Sequence, residues 1–184
     1  VVQNSGIQKQ FKIIKSLFNE PIRSSENINV AMFAHSNYFK IDFIMSGNIT
    51  FSMIKPCAIS RNYTGNIIQF IIEHGFKIIA MKMIWLSREE AEKFYEIHKE
   101  RPFYEGLVRF ISSAPIIAAI LEKENAVDDF RTLIGNTDPA KATQGTIRAS
   151  YGTDIQQNAV HGSDSDENAQ REANFFFSSL ERFY

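Results

Sequence analysis

One nearly uninterrupted apolar run limits the folds that this chain can adopt. Residues 114–121 read Ala-Pro-Ile-Ile-Ala-Ala-Ile-Leu, without a charged or amide side chain among them. A strand with one solvated face alternates apolar and polar residues, whereas a strand covered on both faces is apolar along its length. The run therefore predicts a central strand that is buried on both faces.

The segments around this run show the periods of further strands and helices. Strands are predicted at residues 50–54, 76–85 and 153–160, and the first ends at Lys55-Pro56 because proline cannot donate to a sheet ladder. Helices are predicted at residues 62–74, from the Ser87–Glu90 capping box through His98, around 107–111, at 125–134 and after the last strand. This order predicts an α+β fold, a ferredoxin-like β-α-β-β-α-β sandwich in which helices pack on a four-stranded antiparallel sheet.

Size, charge and cysteine content narrow the class of protein. A chain of 184 residues with 44% hydrophobic residues can bury a core as one domain. Its net charge of -1 argues against a general nucleic-acid-binding protein, which is usually basic, so no specific nucleic acid is expected. Cys57 is the only cysteine, which excludes an intrachain disulfide and favours a reducing, cytoplasmic location. No apolar run approaches the roughly 20 residues of a membrane span, so no membrane association is expected.

The first 44 residues differ in pattern from the rest of the chain. They lack clear turn residues, and one short amphipathic helix between Ile7 and Phe18 has no obvious partner downstream. A well-defined strand pattern begins just after Met45-Ser-Gly-Asn. We therefore expect Met45 to be the natural start, residues 1–44 to be an upstream extension or an artefact of start-site choice, and the core domain to span 45–184. The alternative is a genuine tail or targeting arm.

The segment 158–172 carries the most informative polar residues. His161 lies where an apolar segment passes into a Gly-Ser-Asp-Ser turn, in which Asp164 or Ser165 can cap a following helix. An exposed imidazole beside an anion-attracting helix N-terminus is therefore expected. Glu172, about two turns into the helix, could reach one ring nitrogen and leave the other free as a nucleophile. The alternative is that His161 is only a polar residue in a turn.

These residues together resemble the active-site signature of nucleoside diphosphate kinases. Asn158, the run His161-Gly-Ser-Asp-Ser and Glu172 match the family pattern N-x-x-H-(G/A)-S-D-S with a glutamate in the next helix. The resemblance covers residues 49–177 and implies a ferredoxin-like core, with residues 45–184 as the kinase domain. It also implies ping-pong transfer of a γ-phosphoryl group from a nucleoside triphosphate, typically ATP, to a nucleoside diphosphate through a phosphohistidine on His161.

The resemblance implies roles for scattered positions as well. Lys55 would contact the terminal phosphates and take part in catalysis, while Tyr95 and Glu172 would orient His161. The other phosphate-binding residues would be Arg131, Thr137 and Arg148, and the base and ribose would contact Phe103, Leu107, Ile155 and Asn158. Taken singly, each position has a simpler interpretation, such as a solvated lysine at a strand end or aromatic core residues in a helical hairpin.

The absence of glycine-rich phosphate loops fits this resemblance. The chain contains neither G-x-x-x-x-G-K-[ST] nor G-x-G-x-x-G, which excludes the commonest ATP-site designs. The resemblance implies Mg²⁺ as the cofactor, carried mainly by the nucleotide phosphates, with no direct protein ligand assigned and Asp164 acting through water. Cys57 is a departure, because an acidic residue most often follows Ile-Lys-Pro in the family, although this position holds none of the chemical groups.

The resemblance further implies ATP and nucleoside diphosphates as ligands and a homo-oligomer as the assembled form. The chain ends at Tyr184 soon after the last predicted helix, as in bacterial members, so a tetramer is favoured over a hexamer. Two alternative functions share the fold. One is a catalytically silent nucleotide-binding protein, and the other is a protein-histidine phosphotransfer protein, which needs His161 but neither Phe103 nor Asn158.

Overall fold

A computed structural model describes residues 47–183 of the protein. The predicted N-terminal extension at 1–44 and the proposed start at Met45 lie outside the described residues. Within residues 47–183, no helix combines the length and apolar character that crossing a membrane requires.

Four antiparallel strands form one sheet. They are β1 (Ile49–Ile54), β2 (Lys77–Ile84), β3 (Ile116–Glu122) and β4 (Val160–Gly162), in the order β2-β3-β1-β4. β3 pairs with β2 on one side and with β1 on the other, where Ile120 lies opposite Phe51. Because every residue of β3 before Glu122 is buried, the prediction of a central strand covered on both faces is confirmed.

Seven α-helices connect and cover these strands in the described part of the chain. They are α1 (Pro56–Ser60), α2 (Thr64–Glu73), α3 (Arg88–Phe94), α4 (Tyr104–Ile111), α5 (Ala126–Ile134), α6 (Ile147–Tyr151) and α7 (Asp166–Phe176). Short 3₁₀ turns occupy Glu96–His98, Pro139–Lys141 and Ser179–Glu181. The four-stranded antiparallel sheet with helices packed on it confirms the predicted α+β fold.

Alternating residues of β1 and β3 belong to two separate hydrophobic clusters, one on each face of the sheet. The first joins residues of β1 to α3, α4 and α7 through Phe51, Phe94, Val108 and Phe176. The second joins β3 to α2, α5 and α6 through Leu121, Ile67, Phe130 and Ile147. Since period-two strands send neighbouring side chains to opposite faces, the apolar residues 116–121 of β3 supply both clusters.

The observed helix ends match the ends predicted from the sequence at some positions and differ from them at others. Ser87 and Glu90 form the predicted capping box, with Ser87 Oγ accepting from the Glu90 N–H at 3.1 Å. Gly75 follows α2 with φ +83°, a conformation that a glycine adopts without strain. The helix predicted through His98 instead ends at Phe94 and tightens into a 3₁₀ turn. The short helix α1 was not predicted, although Pro56 stands at its favoured first position.

The prediction of a last strand at 153–160 is wrong. Residues 153–157 form a compact polar loop, in which Asp154 Oδ1 accepts from the Gln156 and Gln157 N–H groups at 2.9 and 2.7 Å. These hydrogen bonds pair backbone N–H groups of the loop with the Asp154 side chain, so those groups do not pair with a neighbouring strand. β4 begins only at Val160, after Ala159 with φ +68°, so His161 lies within a strand opposite Met53 rather than in a turn.

Candidate active site

One cleft of about 870 Å³ gathers every site residue predicted from the sequence. Its lining comes from the ends of β1 and β4, the start of α4, the end of α5, and α6 and α7. The predicted residues among this lining are Lys55, Tyr95, Phe103, Leu107, Arg131, Thr137, Arg148, Ile155, Asn158, His161, Asp164 and Glu172. A sheet edge and several helix ends therefore bring together positions that span more than 100 residues of sequence.

His161 is held from one side by a buried carboxylate. Its Nε2 lies 2.9 Å from Glu172 Oε2, and its side chain is 21% exposed against 6% for Glu172. The imidazole is thus half-buried, which corrects the expectation of an exposed turn residue. A carboxylate oxygen only accepts, so this contact places the ring proton on Nε2. No described residue makes a hydrogen bond to Nδ1, which leaves that nitrogen's lone pair available.

Glu172 is ionised by its surroundings despite its burial. Burial raises the pKa of its carboxyl group, but His161, the Ser163 hydroxyl and Arg171 together outweigh burial, and the pKa falls below its usual range. Ser163 Oγ donates to Glu172 Oε2 at 2.6 Å, and Arg171 lies 3.6 Å from the other oxygen, Oε1. A negative charge therefore sits directly behind the imidazole.

Three aromatic rings pack around part of the imidazole. Phe51, Phe94 and Tyr95 lie with ring centroids 6.0, 5.9 and 6.5 Å from that of His161. Tyr95 meets it edge-on at 90° and makes no described hydrogen bond to it, so its contact with His161 is one of packing. Burial raises the pKa of the Tyr95 phenol, with Glu172 adding to the effect, so the hydroxyl remains neutral.

Helix α7 begins directly beside the histidine. Ser165 is its N-cap and accepts from the Asn168 N–H at 3.2 Å, while Asp166 and Glu167 occupy the first turn. Asp164 makes no cap, because its Oδ1 accepts from the Asn168 side-chain amide at 2.6 Å. This hydrogen bond is the main cause that lowers the pKa of Asp164, which presents a carboxylate to the cleft.

Positive charge collects in the same cleft. Lys55 and Arg148 are buried, and burial lowers the pKa of Lys55 to about 8, with Arg148 as the second cause. Burial and then Arg131 lower the pKa of Arg148 to about 10. None of these three cations forms an ion pair with a carboxylate of residues 47–183. Arg131 is exposed, but Lys55 and Arg148 are buried without an ion pair, which is costly, so these two cations favour an anionic ligand.

Hydrogen bonds to neutral groups fix Lys55 and Arg148 in place. Lys55 Nζ donates to Asn158 Oδ1 at 2.6 Å, and Asn158 Nδ2 donates in turn to the Thr137 carbonyl at 2.9 Å. The Arg148 guanidinium donates to the carbonyls of Gly135 and Val160 at 2.8 and 3.2 Å, while its buried Nε has no described partner. The positive groups are therefore held before any ligand arrives.

The mouth of the cleft is apolar. Phe103, the residue before α4, is 56% exposed, and Ile155 in the polar loop is 61% exposed. Leu107 lies one turn into α4 and lines the same cleft. Large apolar side chains that stay exposed around a cleft are characteristic of a site that receives a planar or apolar ligand group.

Comparison with known proteins shows which family the chain belongs to. The family model described as nucleoside diphosphate kinase matches residues 48–182. The chain belongs to the nucleoside diphosphate kinase family. The nucleoside diphosphate kinase of Flavobacterium psychrophilum is 57% identical over 139 residues, which cover 76% of this chain and 100% of that protein. That of Persephonella marina is 49% identical over 137 residues, covering 74% and 98%.

Solved structures of nucleoside diphosphate kinases share the fold. The enzyme of Aquifex aeolicus is 44% identical with a TM-score of 0.72, covering 73% of this chain and 98% of its own. The Halobacterium salinarum enzyme, solved in complex with CDP, is 36% identical with a TM-score of 0.72, covering 75% and 92%. The protein is therefore an enzyme of the phosphotransferase class, and the recognition made from the sequence is confirmed.

Three residues in or beside the cleft, Ser163, His98 and Gln156, make contacts that the sequence-based assignment of roles missed. Ser163 stands in the signature, but its bond to Glu172 follows from the β4–α7 corner. His98 lines the cleft between Tyr95 and Phe103, with ring centroids 6.3 and 5.8 Å away, and burial lowers its pKa. Gln156 joins the loop to α4. Two signals were readable in the sequence, namely the place of Ser163 in the signature run and the three-residue spacing of His98 from Tyr95.

The described side chains around the cleft bear on how a metal ion could be held there. Among residues 47–183, no group of three or more His, Cys, Asp and Glu side chains is arranged to hold a metal ion. Four carboxylates line the cleft, those of Asp138, Asp154, Asp164 and Glu172, and Asp164 is the one beside the start of α7. This donor set suits a hard cation that arrives with phosphate oxygens and keeps several waters.

Proposed function

We propose that the protein transfers the γ-phosphoryl group of a nucleoside triphosphate, typically ATP, to a nucleoside diphosphate by a ping-pong mechanism through phosphohistidine at His161. The observation that carries this proposal is the hydrogen bond between His161 Nε2 and Glu172 Oε2 at 2.9 Å. It fixes the tautomer with the proton on Nε2 and leaves Nδ1 as the nucleophile. An oriented imidazole in a positively lined cleft of about 870 Å³ suits phosphoryl transfer.

The transfer consists of two balanced displacements. In the first, the Nδ1 lone pair attacks the γ-phosphorus, an N–P bond forms, and the bond to the β,γ-bridging oxygen breaks so that the diphosphate leaves. In the second, a terminal oxygen of another nucleoside diphosphate attacks the same phosphorus and the N–P bond breaks. The Nε2 proton stays on the ring throughout, because the Glu172 carboxylate stabilises the positive charge that the ring acquires.

Lys55, Arg131, Arg148 and Thr137 would bind the phosphates. Phosphoryl transfer depends mainly on positioning and on stabilising charge spread over the non-bridging oxygens. The absence of carboxylate partners around the three cations within residues 47–183 supports this role, because their charges stay available to the ligand. Guanidinium groups suit the task, since they bind phosphate oxygens with two donors at once.

The apolar mouth would hold the nucleoside. Phe103 would stack on the base, Leu107 and Ile155 would pack beside it, and Asn158 would bind a ribose hydroxyl. The Halobacterium salinarum relative is solved with CDP, which supports a nucleotide in this cleft. Stacking does not depend on which hydrogen-bond donors and acceptors a base carries. We therefore expect the protein to accept nucleotides with different bases.

Mg²⁺ is the proposed cofactor. Bound to phosphate oxygens, it would neutralise negative charge on the nucleotide, and Asp164 would hold one of its waters. The lowered pKa of Asp164 keeps this carboxylate ionised, which supports such a contact. Cytoplasmic location stays a prediction from the sequence.

A homo-oligomer, with a tetramer favoured over a hexamer, is the proposed assembly. β2 forms an edge of the sheet, and Met81, Met83 and Trp85, at alternate positions along and just beyond it, are 49%, 61% and 62% exposed. Large apolar residues along a sheet edge are an aggregation hazard unless another surface covers them. A second copy of the chain would cover them here.

Intact-mass measurement after brief incubation with ATP and Mg²⁺ tests the mechanism. We expect one added phosphoryl group on the wild type, none on His161→Gln, and its loss on adding any nucleoside diphosphate. Absence of the adduct on the wild type would contradict the covalent mechanism and favour a nucleotide-binding protein without turnover. An adduct that nucleoside diphosphates do not remove would favour transfer to another protein.

A further inference from the structure

The two sides of the cleft mouth come from segments far apart in sequence, and one side chain connects them. Phe103 introduces α4 on one side, and Ile155 projects from the 153–157 loop on the other. Gln156 Nε2 donates to the Gly106 carbonyl within α4 at 3.0 Å, across 50 residues of sequence. This hydrogen bond ties the loop that carries Ile155 directly to the helix that follows Phe103.

The loop is stiff within itself, so its position depends on how it is attached. The Thr153 N–H donates to the Gln157 carbonyl at 2.9 Å, and Asp154 Oδ1 accepts from two N–H groups of the loop. Gln156 attaches this unit at two places, because its carbonyl also lies 3.4 Å from Lys55 Nζ. The side-chain bond reaches the apolar side of the cleft, and the carbonyl contact reaches the cationic side.

We propose that Gln156 is a positioning residue that sets the width of the base-binding slot by fastening the Ile155 loop to α4. This inference rests on the proposed function, in which Phe103 and Ile155 flank the base. A slot that already has the correct width loses little conformational entropy when a nucleotide binds. A detached loop must instead be ordered on binding, which costs binding free energy. Loss of the hydrogen bond therefore weakens binding of every nucleotide and spares the transfer step at His161.

Gln156→Met tests the inference, because methionine keeps the length of the side chain and lacks the N–H donor. Gln157→Met is the matched control, since Gln157 is the next residue and lies outside the cleft lining. For wild type and both variants, we would measure kcat and KM for a nucleoside diphosphate acceptor, and the Kd of ADP by calorimetry. We expect KM and Kd to rise about twofold to tenfold in Gln156→Met alone, the effect of one exposed hydrogen bond.

The split between the kinetic constants separates positioning from catalysis. A change in kcat of less than about twofold, together with a raised KM, is the signature of lost uniform binding. Equal KM and Kd values in all three proteins, or a lower kcat at unchanged KM, would overturn the role given to Gln156. Failure of the proposed function would give a different result. If the wild type bound ADP but showed no turnover, the Kd of ADP for the wild type and Gln156→Met would still test the role of Gln156.

Discussion

The Ser163 hydroxyl donates to Glu172 Oε2 across 2.6 Å, and the same oxygen lies 2.9 Å from His161 Nε2. Ser163 is completely buried, and its oxygen also accepts from the Phe51 N–H of β1 at 3.3 Å. The hydroxyl thus connects the backbone of the sheet to the carboxylate that orients the imidazole. This contact makes Ser163 part of the support of the proposed nucleophile.

Ser163→Ala should slow turnover and weaken the fold. We expect kcat to fall by about tenfold, because a hydrogen bond to an ionised Glu172 is lost, and the free energy of unfolding to fall by about 1–3 kcal/mol. Steady-state kinetics and urea unfolding measure the two effects. Ser113→Ala is the control, since that exposed hydroxyl bonds only its own helix end at Phe110. An unchanged kcat in Ser163→Ala would show that Glu172 needs no second donor.

Sequence periodicity was sufficient for most of the fold. The central position of β3 followed from its unbroken apolar run, and the start of α3 followed from the Ser87 capping box, because both signals lie within a few adjacent residues. β4 was misplaced for the opposite reason. It has only three residues, and the polar loop before it is shaped by side-chain bonds from Asp154.

The members of the candidate site could be predicted, but several of their contacts could not. Every residue assigned through the family signature lines one cleft. The connection between Gln156 and Gly106, however, joins segments 50 residues apart, and the enclosure of His161 by Phe51 and Phe94 depends on how three elements pack. No local pattern encodes such contacts, because they arise only once the helices lie on the sheet.

The effects of substitutions at Gly162 and Phe130 on the free energy of unfolding should depend on each other. A Cβ at Gly162 would lie 2.7 Å from Phe130 Cδ1, closer than real side chains approach, and Phe130 is fully buried in the core. Gly162→Ala should therefore lower the free energy of unfolding by about 1–3 kcal/mol through overpacking. The same change should cost less in a Phe130→Leu background. A double-mutant cycle by urea unfolding measures the coupling, and strictly additive effects would contradict it.

The exposed residues of β2 should decide the oligomeric state. Met83→Glu places a charge in the centre of the proposed interface between Met81 and Trp85, so we expect sedimentation velocity to show a smaller species than the wild type. Ile72→Glu on α2 is the matched control, because Ile72 is 54% exposed and belongs to a helix rather than to strand β2. Equal sedimentation of Met83→Glu and wild type would mean that another surface holds the oligomer together.

The buried Lys55 amine should make stability depend on pH in alkaline solution. Its pKa is lowered from 10.5 to about 8, chiefly by burial, so between these values the unfolded chain binds more protons than the folded one. The free energy of unfolding contributed by Lys55 therefore rises with pH through this window. Lys55→Met should remove that rise, as measured by urea unfolding at several pH values. A rise of the same size in the variant would assign it to other groups.

Nucleotide binding should reverse this effect on Lys55. Phosphate oxygens stabilise the ammonium form and raise its pKa, so ADP binding near pH 8 should be accompanied by proton uptake, and ADP affinity should fall as pH rises above 8. Calorimetric titrations in buffers of different ionisation enthalpy measure the protons taken up. Lys55→Arg is the control, because a guanidinium stays protonated in this range and should bind ADP without that uptake. Equal uptake in the variant would place the titrating group elsewhere, and its absence in both proteins would mean that Lys55 is already charged before the phosphates arrive.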